Sequence, residues 1–153
     1  MTKISMEKVE FLSPEWMQLL RAIVIEGLAG KDLSGIEYSL CEVYKNVPAH
    51  LRRGAGPDIA FFVRIHAGKI EFGDHALADA TFSVVADHAS MAPWVCLTHA
   101  ETKERAGVEA TVLMGRMIAD GQMQVAGDLS ARPACLAALN LHDQLAIRTK
   151  PPM

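Results

Sequence analysis

The spacing of hydrophobic residues near the start of the chain predicts an amphipathic helix. Trp16, Leu20 and Val24 recur at intervals of four, so they share one helical face. Ser13 stands where a helix cap is expected, and Pro14 suits the first helical turn. We therefore expect a helix to begin at Pro14 and to end near residue 29.

Alternation of hydrophobic and polar residues predicts five strands. They cover residues 36–44, 59–65, 69–73, 80–87 and 121–127. The second and third strands are separated by a short glycine-containing turn, which predicts a β-hairpin.

The chain between the fourth and fifth strands is predicted to be mainly helical. Residues 87–97 begin at a capping Asp87 but contain Pro93, so this helix should be short or broken. Residues 109–121 carry apolar side chains at helical spacing, and residues 129–145 form the closing helical region. This order predicts an α+β fold in which a layer of about five helices covers a mostly antiparallel five-stranded sheet.

Length and charge restrict the function classes. A chain of 153 residues predicts a single domain, which we place at residues 9–149, between a lead-in at 1–8 and a disordered tail at 150–153. The formal net charge is −3, and lysine and arginine are not in excess. Binding of nucleic acid is therefore not expected, since phosphate recognition needs clustered cations.

The cysteines predict a reducing environment. Cys41, Cys96 and Cys135 are odd in number and match no CxxC spacing, so no disulfide is expected. The N-terminal residues lack the apolar core of a signal peptide, and no apolar run is long enough to span a membrane. These features together predict a cytoplasmic protein.

No sequence motif predicts catalysis, a metal or a cofactor. None of the six histidines has zinc-site spacing, and no GxSxG motif is present. Asp128 attracts interest because it follows Gly127 at a strand-to-helix junction. A helix cap, an ion pair and a catalytic acid are the three roles open to it, of which the cap is the commonest at such a junction.

Methionine is the one unusual component of the composition. The chain has eight methionines, and Met91, Met114, Met117 and Met123 fall in the predicted helical layer or in the strand beneath it. Methionine is flexible and polarisable, so it suits adaptable apolar surfaces as well as ordinary cores. Composition alone leaves core packing and an apolar ligand cavity both open.

Three segments, taken in order, resemble those of bacterial single-domain members of the sterol carrier protein 2 (SCP2) family. They are FLSPEW at 11–16, ADATFSVVAD at 78–87, and MIADGQMQVAGDLSARPACLAAL at 117–139. The resemblance covers about residues 9–149, and the order and spacing of the segments carry it.

The resemblance implies an apolar tunnel between the sheet and the helical layer. Family members bind fatty acids, fatty acyl-CoA, sterols, steroids or related lipids without catalysing a reaction. On this chain the implied lining is Phe61, Phe72, Phe82, Trp94, Leu97, Leu113, Met114, Met117, Ile118, Met123, Leu136, Leu139 and Leu145.

Three functions follow from these observations. The leading one is non-catalytic binding, and transfer, of an apolar small molecule. The second is an accessory or dimerisation domain with a closed cavity, acting as a homodimer beside a lipid- or steroid-metabolising enzyme. The third is a small enzyme acting on an apolar substrate, with Asp128 or a histidine as acid or base.

Overall fold

The five predicted strands form one sheet. The structure, a computed structural model, describes residues 7–54 and 56–152. The strands are β1 Tyr38–Lys45, β2 Ile59–His66, β3 Lys69–Gly73, β4 Phe82–Asp87 and β5 Met123–Gly127. Their order across the sheet is β3-β2-β1-β4-β5. The β1–β4 pairing is parallel and the other three pairings are antiparallel, which confirms a mostly antiparallel sheet.

The helices lie before, between and after the strands, as the α+β prediction requires. They are α1 Pro14–Leu28, α2 His88–Val95, α3 His99–Ala106, α4 Ala110–Ala119, α5 Ala134–Ala137 and α6 Leu141–Ala146. About five helices were expected; the described residues form six, of which α5 is a single turn. None of the helices within residues 7–54 and 56–152 is long and apolar enough to cross a bilayer.

Helix α1 begins as its sequence predicts. The Ser13 hydroxyl oxygen accepts a hydrogen bond from the Trp16 backbone N–H at 3.2 Å, and Pro14 is the first helical residue. The indole N–H of Trp16 donates to the Thr149 hydroxyl at 3.2 Å. Thr149 is fully buried and forms a β-bridge with Val9, so the two ends of the described chain meet beside α1.

The predicted segment boundaries at the chain ends can be compared with the structure only in part. Of the lead-in at 1–8, residues 1–6 lie outside the described residues, as does Met153 of the tail. Within the tail, the Lys150 backbone N–H donates to the Val9 carbonyl at 2.8 Å.

Helix α3 was not predicted as a separate helix. It begins with a capping box, in which the Thr98 hydroxyl accepts from the Glu101 N–H at 3.2 Å. The Glu101 carboxylate accepts from the Thr98 N–H at 2.9 Å. The T-x-x-E spacing in the sequence is the signal that identifies this start.

Asp87 precedes α2, but the predicted capping hydrogen bond is wrong. No hydrogen bond from α2 reaches the Asp87 side chain. Its carboxylate accepts instead from the Asn46 side-chain amide at 2.8 Å. The carboxylate is therefore used to hold the β1–β2 connection against the end of β4.

The main core lies between the sheet and the helices. Strand alternation directs Phe61 of β2 and Phe82 of β4 to the helical side, and both are buried. The Trp16 ring of α1 meets the Phe61 ring edge-on, with centroids 5.9 Å apart. Phe11 packs edge-on against Trp16 and also against Tyr44 of β1. An aromatic cluster therefore joins α1 to the centre of the sheet.

Gly127 and Asp128 turn the chain out of β5. Gly127 has a φ of 88°, a conformation that favours glycine, and an added Cβ would overlap the carbonyl oxygen of Thr81. Asp128 accepts hydrogen bonds from the Ser130 N–H at 2.9 Å and from the Ser130 hydroxyl at 2.5 Å. The capping role is confirmed, although the capped element is a single 3₁₀ turn, Leu129–Ala131, and not a closing α-helix.

We expect Gly127→Ala to lower the free energy of unfolding by at least about 2 kcal/mol, because the methyl group adds a clash to an unfavourable φ. Gly115→Ala is the matched control. Gly115 lies within α4 and an added Cβ there meets nothing within 4 Å, so alanine should stabilise by up to about 1 kcal/mol. Urea unfolding measures both changes; equal midpoints for the two variants would contradict the structural role of Gly127.

Candidate functional site

The helical layer does not fully cover the inner face of the central strand β1. Leu40 points to the helical side and pairs with Val63 of β2 and Phe82 of β4. Those two neighbours are buried, with 4% and 6% of their surface exposed, whereas Leu40 is only half-buried. A side chain at the middle of a sheet is normally the best covered. The layer above Leu40 therefore leaves part of it accessible.

Glu42 continues the same face of β1. It pairs with Phe61 on one side and Val84 on the other, both of which are buried apolar residues. Glu42 itself is half-buried. A carboxyl group thus lies in an apolar row at the centre of the sheet, next to the accessible part of Leu40.

The helices above this region are loosely packed compared with α1. Trp16, Leu20 and Val24 of α1 are buried. By contrast, most of the apolar side chains that α2, α4 and α5 place against the core are only partly buried, with Ala92 and Met117 as buried exceptions; the partly buried ones are Met91, Trp94, Val95, Leu113, Met114, Cys135 and Leu136. The layer is therefore tight beside α1 and looser at Leu40 of β1 and Val125 of β5, whereas Phe82 and Val84 of β4 are buried.

The inner face is also open at the β5 edge. Val125 pairs with Val84, so it lies on the same face, yet 37% of its surface is exposed. Val112, Ile118 and Leu129 are exposed apolar residues from the chain on either side of β5. The described part of the chain therefore has accessible apolar surface at two places on the inner face, Leu40 and the β5 edge, with the buried Phe82 and Val84 of β4 between them.

The structure brings most of the predicted lining residues into or against one core. Phe61, Phe82, Met117, Met123 and Leu145 are buried in it, and Phe72, Trp94, Leu113, Met114, Leu136 and Leu139 pack partly buried against it. Leu97 is half-buried, and Ile118 is 38% exposed. Whether these residues contact a ligand remains a prediction.

The sequence reasoning missed Leu40, Glu42 and Tyr44 as site residues. Alternation places all three on one face with Tyr38, and a charged residue at an inward-facing position of a central strand is the signal that identifies Glu42. Inward ionisable groups are rare because burial disfavours the charged form.

Glu42 and Tyr44 are hydrogen-bonded to each other. The Tyr44 hydroxyl donates to Glu42 Oε1. Burial raises the pKa of Glu42, and the hydrogen bond from Tyr44 opposes part of that rise. Burial and the neighbouring Glu42 carboxyl raise the pKa of Tyr44 well above its usual range. Among the described residues, no cationic side chain forms an ion pair with Glu42.

A polar cavity of about 160 Å³ lies at one end of the β1–β2 pair. Its lining includes Glu37, Tyr38, Arg64, Asp79 and Thr81. None of the residues predicted to line a lipid tunnel contributes to it. This volume is below the roughly 300 Å³ at which small-molecule pockets begin.

His99, His142 and Asp143 form the one group of three metal-ligating residue types found among the described residues. The two imidazole rings are stacked, with centroids 4.5 Å apart and planes 9° apart. Lone pairs lying in parallel planes do not converge on one ion. Asp143 instead accepts from the His99 backbone N–H at 2.8 Å, and His142 Nε2–H donates to the Leu97 carbonyl at 2.7 Å. The group therefore joins α6 to the start of α3.

The fold is shared with a known protein, and two further structures match at lower TM-scores. A conserved hypothetical protein of Thermus thermophilus, suspected to be a sterol carrier protein, is 20% identical; the match covers 95% of each chain at a TM-score of 0.50. Sterol carrier protein 2 of Yarrowia lipolytica, in its apo form, is 13% identical over 92% of this chain and 98% of that chain, at a TM-score of 0.45. The ubiquinone synthesis protein UbiJ-SCP2 is 14% identical over 89% of this chain and 78% of that chain, at a TM-score of 0.37.

No protein-family model and no curated protein matches the sequence. The structural match over nearly the whole chain nevertheless shows that it has an SCP2-like α+β fold, as the three sequence segments predicted.

The half-buried His142 at the α3–α6 junction predicts a pH dependence of stability. Burial lowers the pKa of His142 in the folded state and outweighs the hydrogen bond to the Leu97 carbonyl, which raises it; the nearby His99 imidazole lowers it further, and Asp143 opposes the fall. Below about pH 6.5, the unfolded chain binds a proton that the folded chain resists. The free energy of unfolding should therefore fall as the pH drops from about 7.5 to about 5.

His142→Gln should make this fall shallower, because glutamine keeps a donor for the Leu97 carbonyl but does not titrate. Urea midpoints at the two pH values measure the slope. A slope equal to that of the wild type would show that His142 is not a source of the pH dependence.

Proposed function

We propose that this chain binds, and carries, an apolar lipid-like molecule between the inner face of its sheet and helices α2, α4 and α5. The observation that carries the proposal is the half-buried Leu40 between its buried neighbours Val63 and Phe82. An apolar side chain accessible at the centre of a sheet marks space between two layers that an apolar molecule can fill.

The energetics favour such a ligand. Covering apolar surface contributes about 25 cal/mol for each Å² removed from water. The partly buried side chains of α2 and α4 include Met91 and Met114, and methionine adapts to ligands of different shape. A ligand lying there would remove from water the apolar side-chain surface that the protein alone leaves exposed.

The fold supports the same function. The Thermus thermophilus protein with which this chain shares its fold is suspected to be a sterol carrier protein. Sterols, steroids and fatty acyl chains are therefore the ligand types that we propose. The three free cysteines fit a reducing, cytoplasmic location.

The accessory-domain alternative requires a closed interior. The accessible surface at Leu40 and the open edge at Val125 favour binding over closure. A homodimer remains compatible with binding, since β5 is a sheet edge with exposed apolar neighbours.

For the enzymatic alternative, the described residues offer one inward-facing carboxyl group but no second group beside it that could serve as a base. Glu42 is the inward-facing acid, and Tyr44 is the polar side chain that contacts it. Because the pKa of Tyr44 is well above its usual range, its hydroxyl stays protonated and does not serve as a base at neutral pH. Asp128 is exposed and holds a turn. Non-catalytic binding is therefore the function we propose.

A space-filling substitution tests the proposal. Leu40→Phe should fill the gap and reduce binding of the neutral apolar dye diphenylhexatriene at least about tenfold, with little change in the urea midpoint. Val43→Phe is the matched control, since Val43 is half-buried on the opposite face of the same strand, and it should leave dye binding unchanged.

Native mass spectrometry and gentle solvent extraction of the purified protein provide the second readout. We expect a copurified lipid in the wild type and much less of it in Leu40→Phe. A bare wild-type chain that also takes up no dye would overturn the proposal.

A further inference from the structure

We propose that Glu42 is the polar anchor of the binding site, and that it selects apolar molecules whose buried end carries a hydrogen-bond donor, such as a hydroxyl or an amine. This inference rests on the proposed function, because it specifies the chemistry of the same site. It adds a specificity-determining residue and a ligand class from which free carboxylates are excluded.

The position of Glu42 is the first argument. It occupies the central strand, directly between Phe61 and Val84, and faces the helices whose apolar side chains are only partly buried. The next inward-facing residue in one direction is the accessible Leu40. A molecule filling the space over Leu40 therefore ends beside the Glu42 carboxyl group.

The hydrogen bonding of Glu42 is the second argument. Tyr44 donates to Oε1, and this is the one hydrogen bond that the described residues make to the carboxyl group. Oε2 is thus left available on a side chain that protein atoms enclose but do not completely cover. Oε2 is not one of the described buried atoms that lack a partner, so it keeps contact with solvent, and a ligand donor can replace that contact.

The hydrogen bond between Glu42 Oε2 and the ligand determines which class of ligand binds. A hydroxyl or an amine donates to a carboxyl oxygen whether or not the carboxyl is protonated. A ligand carboxylate has no proton to donate, and beside the ionised form of Glu42 it places a second negative charge in a poorly solvated site. The arrangement therefore discriminates against fatty acids at this end of the ligand.

A purely structural role does not explain the residue. Glu42 joins no ion pair with another described residue, and an apolar side chain would pack better between Phe61 and Val84. Because Glu42→Leu alone leaves the buried Tyr44 hydroxyl without its acceptor, we expect the double variant Glu42→Leu/Tyr44→Phe to be the one that unfolds at a higher urea concentration than the wild type. A residue that lowers stability at the centre of a proposed ligand site fits a functional role.

The test compares four probes of equal chain length by displacement of diphenylhexatriene. They are dodecanol, dodecylamine, dodecanoate and dodecyl methyl ether, which has no donor. The wild type should bind dodecanol or dodecylamine at least about tenfold more tightly than dodecanoate and several-fold more tightly than the ether. The alcohol and amine arms show which donor the site prefers.

Three variants locate the effect. Glu42→Leu should lose the preference among the four probes while binding diphenylhexatriene more tightly, because the lining becomes apolar. Glu42→Gln should keep the preference for the alcohol through its amide carbonyl. Glu71→Leu removes an exposed carboxylate from the opposite face of the sheet and should behave as the wild type.

The outcomes separate the two proposals. Dye binding by the wild type without a preference among the probes, or a preference that persists in Glu42→Leu, would overturn the role of Glu42 and leave the binding function intact. Absence of binding by the dye and by all four probes would overturn both.

Discussion

The pairing of β1 with strands on both of its sides is the interaction on which the rest of the structure depends. β2 follows β1 and pairs with it antiparallel, while β4 pairs with the other side in parallel. A parallel pairing needs a crossing connection, and here the β2–β3 hairpin and the loop after it supply it. β4 then leads directly into α2, so the chain continues with the helices over the newly formed face. The same pairing makes β1 the central strand. Its inner face therefore lies at the centre of any site between the sheet and the helices.

Two different kinds of packing cover the inner face of the sheet. At one end, α1 and the aromatic residues Phe11, Trp16 and Phe61 form a closed cluster tied to the chain end by Thr149. Over the rest, the short helices α2, α4 and α5 bring apolar side chains that are mostly only partly buried. Short helices gain little from their own hydrogen bonds and rely on such contacts. The core thus has a closely packed end at α1, which we call the rigid end, and a loosely packed end at α2, α4 and α5, which we call the adaptable end. Such a division suits a protein that keeps its fold while binding a small molecule.

In the proposed site, Glu42 connects this packing to ligand specificity. An apolar cleft alone distinguishes ligands mainly by shape and size, whereas a single enclosed carboxyl distinguishes them by the group at their buried end. Tyr44 fixes one oxygen of that carboxyl and itself belongs to the aromatic cluster through Phe11. The rigid end of the core therefore positions the polar group that the adaptable end presents to a ligand.

The sequence by itself determined the elements and the fold class. The Ser13–Pro14 start, the five alternating segments and the Gly127–Asp128 turn are local signals, because capping, strand alternation and left-handed turns depend on neighbouring residues. Helix α3 also had a local signal, the Thr98–Glu101 capping box, although its charged composition concealed it. Only the tertiary structure decided that β4 lies beside β1, that Asp87 binds Asn46, and that Leu40 is half-covered. Each of these depends on residues that are distant in the chain. How completely a side chain is buried follows from the distance between the sheet and the helical layer, and no local sequence pattern encodes that distance.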